Sequence, residues 1–177
     1  MDIDERVLAY IAGIMDADGY FTIKRDTYRT RVIKDRENPT YYERVGIKQT
    51  SKEAIELIYK YFGGYYHIEK SSAKNGKPLY AVELRNLKAH NFIKAIYPYL
   101  RIKKKQAEIL LKLRESIRRG KTKRKKTMQR TRWGNYAVFT RYAVDDDEIE
   151  YRERLISEIK KLNDSRNDPK HQPKPWK

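Results

Sequence analysis

The stretch that most constrains this chain is a short apolar segment that ends in two acids, YIAGIMDADGYF at positions 10–21. Residues 7–15 are apolar nearly all round, and a helix of this kind is buried on more than one side. Gly19 is the residue type that commonly follows the last turn of a helix. We predict that a stripe of small residues on this helix packs against another backbone, its members being Ala9, Ala12, Gly13 and Asp16.

The two acids are unusual for the end of a helix. Asp16 and Asp18 fall in the last predicted turn, where the helix dipole favours cations over carboxylates. A divalent cation would reverse this preference, because Mg²⁺ is held by one or two carboxylates together with waters and substrate phosphates. Taken alone, the Asp-Ala-Asp-Gly string also fits a solvated turn after a core helix, so both interpretations are open.

Composition narrows the class of protein and of partner. The 177 residues suffice for one domain, and the absence of cysteine excludes disulfides and thiolate zinc sites. No apolar run approaches the roughly 20 residues of a membrane span and nothing resembles a signal peptide, so we expect an intracellular protein that is not secreted. The net charge of +17 and the 15 tyrosines favour a nucleic acid partner, without distinguishing DNA from RNA.

Hydrophobic periodicity predicts an α+β fold. Helical spacing covers residues 4–17, a segment from Ser51 to the Gly63-Gly64 pair, residues 89–97 before Pro98, and about 104–118. Strand-like alternation covers residues 20–25, 41–49, 65–70 and 79–85. The element order α-β-β-α-β-β-α-α therefore predicts helices that cover one face of a four-stranded antiparallel sheet.

The other face of this sheet is basic and aromatic. Phe21, Ile23, Val45 and Ile47 alternate toward the core, which turns their neighbours outward. Such a strand face can lie along a DNA groove and contact base edges, although an ordinary solvated sheet face has a similar composition. The predicted DNA-contacting residues on it are Tyr20, Thr22, Lys24, Tyr42, Arg44, Lys48 and His67.

The chain beyond the predicted core carries a concentrated positive charge. Residues 120–132 are the most basic run and indicate a solvated arm or, alternatively, an arm that contacts phosphates. Residues 136–144 alternate weakly and are consistent with an added hairpin. Three acids at 145–147 are best explained as the start of an amphipathic helix rather than as a catalytic cluster. The proline-containing tail from position 163 is expected to be poorly ordered.

The nonapeptide IAGIMDADG at 11–19 resembles the motif that names the LAGLIDADG homing endonucleases, with Ile, Ile and Met at the variable aliphatic positions. Two further stretches resemble that family: PYLRIKKKQA at 98–107 and LNDSR at 162–166. The resemblance implies an αββαββα core with a saddle-shaped sheet over about residues 4–117, a basic insertion at 118–147, and a C-terminal helix and tail at 148–177, all in one domain. Because the motif occurs once, it also implies a homodimer whose two motif helices meet at a two-fold axis.

The resemblance also implies individual roles. Asp18 would be the metal-binding carboxylate and the carbonyl of Ala17 a second ligand, while Asp16 would be structural. Gln49 matches a residue that positions the attacking water. Lys103 matches the basic residue near the scissile phosphate, with Lys104 and Lys105 as alternatives.

Two further positions bear on the comparison with the family. Arg166, in the stretch that resembles the family's C-terminal segment, is expected at the DNA. Glu53 stands where compact relatives carry an arginine, which is a departure from the family pattern.

Together these features imply a homing endonuclease that uses Mg²⁺, with Mn²⁺ able to substitute, to break both strands of a long, nearly palindromic DNA site. Its gene would lie in an intron or intein, and the protein would act wherever that DNA resides. Two alternatives keep the same fold: an RNA-binding maturase that assists splicing, and a DNA-binding regulator that does not cut.

Overall fold

The order of helices and strands follows the sequence prediction through the core. The computed structural model describes residues 3–26, 39–70, 76–120 and 122–164. Within them the elements are α1 (Glu5–Asp18), β1 (Tyr20–Asp26), β2 (Thr40–Gln49), α2 (Lys52–Phe62), β3 (Tyr65–Glu69), β4 (Leu79–Arg85), α3 (Asn86–Ile96), a 3₁₀ turn (Tyr97–Tyr99), α4 (Lys104–Arg119), β5 (Thr122–Arg130), β6 (Tyr136–Val144) and α5 (Asp146–Asn163). The predicted α+β class is confirmed.

The first four strands form one antiparallel sheet in the order β1-β2-β4-β3. Tyr20 pairs with Gly46 at one end of the β1–β2 ladder and Asp26 pairs with Thr40 at the other. The inner face is buried beneath the helices and supplies much of the core, as the alternation predicts; its apolar members are Phe21, Ile23, Val45, Ile47, Val82 and Leu84.

Local signals in the sequence place both ends of α2. The Ser51 hydroxyl accepts a hydrogen bond from the Ala54 N–H at 3.4 Å, which satisfies one of the free donors at the helix start. Gly63 follows the helix with φ of 66°, a left-handed conformation that glycine adopts without steric cost. The helix therefore begins and ends where the sequence predicts.

The core face of β2 contains an acid that the alternation pattern missed. Glu43 is fully buried, and Arg114 of α4 donates to its carboxylate through Nε at 2.7 Å and through a second guanidinium nitrogen. Burial raises the pKa of Glu43, and the Arg114 hydrogen bonds act in the opposite direction. A buried carboxylate is tolerated here because a guanidinium pairs with both of its oxygens.

The basic run, whose fold the sequence left open, forms a strand. β5 pairs with β6 in antiparallel register from Thr122↔Val144 to Arg130↔Tyr136. The connecting turn is closed by a hydrogen bond from the Thr131 N–H to the Asn135 carbonyl at 2.6 Å. The prediction that residues 136–144 add a hairpin is confirmed. β6 provides the pairing strand that the run of lysines and arginines needs in order to be a strand.

Helix α5 packs back along the first strand. Arg152 is buried and donates to the Ser116 hydroxyl at 2.7 Å and to the Ser116 carbonyl at 3.1 Å. Tyr41 donates to Glu153 at 2.6 Å, and Asn163 donates to the Phe21 carbonyl at 2.8 Å. α5 thus runs from the far end of β1 back toward its start.

Two predictions fall on residues outside those described, namely the order of the C-terminal tail and the DNA contact of Arg166. Among the helices in the described part of the chain, none is long and apolar enough to cross a membrane.

Candidate active site and nucleic-acid interface

The end of α1 is shaped by a close contact that only glycine permits. The Gly19 N–H donates to the Met15 carbonyl at 3.0 Å, and its backbone is extended, with φ of −69° and ψ of 156°. A Cβ at this position would overlap the Met15 side chain and lie 2.7 Å from the Met15 carbonyl oxygen. Gly19 is therefore required for space, and the chain passes from α1 into β1 within one residue.

Two of the predicted catalytic residues meet at this helix end. Asp18 is the last residue of α1 and Gln49 the last residue of β2. The Gln49 side-chain Nε2 donates to Asp18 Oδ2 at 2.5 Å, and both side chains are accessible to solvent. The β1–β2 pairing brings them together because β1 starts beside the point where β2 ends.

The side chain of the third predicted catalytic residue reaches the C-terminal end of the same helix. Lys103 Nζ donates to the backbone carbonyls of Met15 at 3.0 Å, Ala17 at 3.1 Å and Gly19 at 2.6 Å. Burial lowers the pKa of Lys103, while the charges of Asp16 and Asp18 raise it. The cation that the helix dipole favours is thus supplied by a distant loop, and it holds the Ala17 carbonyl that was predicted to bind metal.

Asp16 holds the loop that carries this lysine. Its carboxylate is buried and accepts hydrogen bonds from the backbone N–H groups of Arg101 at 2.7 Å and Lys103 at 2.9 Å. Asp16 is therefore a structural residue, and the loop at 101–103 is fixed against the end of α1.

The small-residue stripe on α1 does not form one surface, which corrects the predicted dimer interface. Ala12 and Asp16 lie inside the chain, with Ala12 fully buried in the core. Ala9 and Gly13 are exposed, together with Tyr10, of which 57% is accessible. Of the predicted stripe, only Ala9 and Gly13 lie on the exposed side of α1, where they form a strip with Tyr10, because the helix turns the other two residues toward its own chain.

The oxygen donors at the helix end suit a hard divalent cation. The Asp18 carboxylate and the Ala17 carbonyl are the ligand types that Mg²⁺ takes, with its remaining positions filled by water and substrate phosphates. The described residues contain no group of three or more His, Cys, Asp or Glu side chains that could enclose a metal. A metal ion held by the Asp18 carboxylate and the Ala17 carbonyl would need its remaining oxygen ligands from outside this chain.

The predicted DNA-contacting residues lie together on the outer sheet face. Thr22 pairs with Arg44 and Lys24 with Tyr42 across β1 and β2, and Lys48 aligns with His67 through Ala81. Lys48 and His67 share an acid that the sequence analysis did not single out: Glu69 accepts from Lys48 at 2.7 and 2.8 Å, and its Oε1 lies 2.9 Å from His67 Nε2.

A second acid organises the centre of this face. Glu83 is 5% exposed and accepts hydrogen bonds from Tyr20 at 2.7 Å, from Arg44, and from Arg85. Burial would raise the pKa of Glu83, but these hydrogen bonds outweigh it and lower the pKa to about 2. Burial, followed by the contact with Glu83, raises the pKa of Tyr20 to about 12. At neutral pH the carboxylate is charged and fixes two arginines.

Gly46 makes this arrangement possible. A Cβ at Gly46 would collide with the Tyr20 phenol and with the Val82 carbonyl. The network was not predicted from the sequence, because Glu83 and Arg85 are more than 30 residues from Arg44. The alternation in β4, which turns Glu83 and Arg85 to one face of the sheet, was the sequence signal that could have indicated it.

Comparisons with known proteins agree with this architecture. A family model described as LAGLIDADG endonuclease matches residues 11–115. No curated protein matches the sequence. The fold is similar to the homing endonuclease I-CvuI in complex with the I-CreI target, at 16% identity and a TM-score of 0.60, covering 92% of this chain and 85% of that one.

Two other solved structures share the fold. The archaeal intron-encoded homing endonuclease I-Vdi141I, complexed with DNA, has 15% identity and a TM-score of 0.59 and covers 98% of this chain and 88% of that one. The homing endonuclease I-TnaI has 13% identity and a TM-score of 0.54, with 92% and 95% covered.

Proposed function

This chain belongs to the LAGLIDADG endonuclease family, and on that premise we propose that it is a site-specific DNA endonuclease that makes a metal-dependent double-strand break. The observation that carries the proposal is the meeting of Asp18, Gln49 and Lys103 at the end of α1, directly beside the basic outer sheet face. I-CvuI and I-Vdi141I, which share the fold, were both solved with DNA, which supports DNA as the substrate.

A divalent cation, Mg²⁺ with Mn²⁺ as a substitute, would activate water and stabilise charge on the leaving oxygen. Structures of I-CvuI with DNA were determined in the presence of 2 mM Mg, with the DNA not cleaved, and of 2 mM Ca, which supports a divalent cation. In this chain Asp18 and the Ala17 carbonyl would hold the ion, and Gln49 would orient the carboxylate and a water. Lys103 donates to the same Ala17 carbonyl, whose oxygen has a second lone pair for the ion, and repulsion between the two cations would favour turning the ammonium away from it. Its ammonium is then available to a phosphate.

Two copies of the chain are required for a double-strand break if each strand is cut at its own Asp18. Each chain provides one Asp18, and the exposed strip formed by Ala9, Tyr10 and Gly13 lies on the same helix. Packing these strips around a two-fold axis would place one Asp18 beside each strand. The target would then be nearly palindromic, with one outer sheet face on each half-site, and the protein would act wherever its host intron's DNA resides.

The proposal is tested by incubating the protein with a randomised duplex pool and Mg²⁺ and sequencing the cut ends. We expect paired cuts a few bases apart within a two-fold symmetric consensus. Asp18→Asn should abolish cutting while DNA binding in Ca²⁺ is retained, and Asp146→Asn, a matched change at an exposed position of α5, should cut normally. Absence of cuts by the wild-type protein, with DNA or RNA still bound, would instead indicate the regulator or the maturase.

A further inference from the structure

The β5–β6 hairpin has no role in the site described above. Residues 120–144, which include it, contain eight lysines and arginines and no aspartate or glutamate. Among the described residues, the extensive contacts of the hairpin are between its own two strands. A ribbon of one charge sign favours a polyanionic partner.

The base of the hairpin is held firmly at one place in the fold. α4 leads into β5 and β6 leads into α5, and the two helices are joined there by the buried Arg152–Ser116 hydrogen bonds. Arg119 and Glu148 add an ion pair at 3.6 Å across the same junction. The direction in which the hairpin leaves the domain is therefore set by packed helices.

This base lies at the end of the sheet that is far from Asp18. Glu153 pairs with Arg25 at 2.9 Å and with Tyr41, at the distal end of the β1–β2 ladder. Asn163 contacts Phe21 near the catalytic end. With a rise of about 1.5 Å per residue, the start of α5 lies about 10 Å beyond Glu153, further from the cleavage site.

The tip of the hairpin presents apolar side chains to solvent. Met128 and Val138 face each other across the two strands, with 71% and 61% of their surfaces accessible. Trp133 in the turn is 85% accessible, and Tyr136 at the start of β6 is 71% accessible. Aromatic and apolar groups framed by cations can contact sugars and base edges while the cations contact phosphates, and a two-stranded ribbon fits the DNA major groove.

We propose that the β5–β6 hairpin is a second DNA-binding element, which contacts the duplex outside the segment covered by the four-stranded sheet. In a dimer the two hairpins would contact the two outer flanks of the target. The inference rests on the proposed function for DNA as the ligand. Duplex DNA is favoured over an acidic protein surface because β5 is nine residues long, about 30 Å, and a duplex presents a continuous line of phosphates over such a length.

The test compares two triple variants that each remove three positive charges. The hairpin variant is Lys125→Gln, Lys126→Gln and Arg130→Gln, and the control is Lys60→Gln, Lys94→Gln and Lys160→Gln on exposed positions of α2, α3 and α5. Binding to a duplex of random sequence is measured as a function of salt. The hairpin variant should bind about ten- to a hundredfold more weakly at moderate salt, with a log–log slope reduced by about 2 to 3, because each phosphate contact contributes about 0.9 to that slope.

A second measurement locates the contact. Footprints in Ca²⁺ on a duplex recovered from the pool should be shorter at both outer ends for the hairpin variant than for the control, with the centre still protected. Trp133→Ser, in the turn and outside both strands, should weaken binding without changing the salt slope. Unchanged slope and footprint of the hairpin variant would overturn the proposal. A loss confined to single-stranded RNA would overturn it in favour of an RNA-binding element.

These outcomes are separate from failure of the proposed function. Binding to random duplex and its salt slope require no cleavage. A wild-type protein that cuts the pool, with a hairpin variant that binds like the control, would leave the endonuclease proposal intact and refute only the hairpin.

Discussion

Lys103 shows what the sequence could and could not predict at the candidate active site. The two acids in the last turn of α1 were recognisable as unfavourable for an isolated helix, and the basic loop was recognisable by resemblance. The three backbone contacts of the ammonium could not be predicted, because they depend on how a loop more than 80 residues away is folded against the helix. Asp16 provides that constraint through the loop's own backbone.

We expect Lys103→Met to destabilise the fold as well as to impair cleavage. The substitution removes a charged donor from three carbonyls at the helix end, and hydrogen bonds to a charged group contribute about 1.5–3 kcal/mol. Urea unfolding should show a lower midpoint than for Lys105→Met, a change at an exposed position in the next helix. Equal midpoints for the two variants would show that the ammonium does not cap α1 in solution.

At the scale of helices and strands, the sequence is sufficient to predict structure where local chemistry decides. Ser51 and Gly63 were identified as helix ends because a hydroxyl cap and a left-handed residue act within a few positions. The sequence is not sufficient for β5, whose strand conformation depends on pairing with a segment that begins six residues after β5 ends. Charge patterning describes solvation of a segment and carries no information about such a partner.

The same distinction explains Glu43, whose burial depends on an arginine from α4. We expect Arg114→Met to cost about 3–5 kcal/mol, because it leaves a carboxylate buried without a partner. The double variant Glu43→Leu and Arg114→Met should recover most of this loss. Equilibrium denaturation of the two variants and the wild type measures both effects. A double variant no more stable than Arg114→Met would mean that the ion pair itself, and not the orphaned charge, sets the cost.

At the scale of the whole molecule, the element order and the four-stranded antiparallel sheet followed from periodicity, whereas the strand order and the partner-facing surfaces did not. The predicted interface on α1 was half wrong, since burial of Ala12 and Asp16 depends on which side of α1 meets its own sheet and loop. Gly13, by contrast, has open space where a Cβ would lie.

Gly13→Leu should therefore affect folding and association in opposite directions. Within one chain, replacing a helical glycine is expected to add up to about 1 kcal/mol of stability. If two copies pack through this strip, the leucine obstructs their approach. In sedimentation experiments the variant dimer should then dissociate at a higher protein concentration than the wild-type dimer. Lys94→Leu, on the exposed side of α3, should change neither association nor the sedimentation coefficient. A variant that dimerises as well as the wild type would place the interface elsewhere.

The carboxylate of Glu83 has a consequence for how such a protein searches a genome. A target competes with an excess of 10⁶–10⁹ random positions, so the ratio of cognate to random affinity matters more than either alone. Arg44 and Arg85 are already paired with Glu83, so if the outer sheet face binds DNA as proposed, random DNA would gain less from them than their charge suggests. A base edge in the correct place can compete for a fixed guanidinium, whereas a diffuse phosphate potential competes poorly. On the proposed function, an acid at the centre of a cationic surface would thus reduce the time lost on wrong sequences.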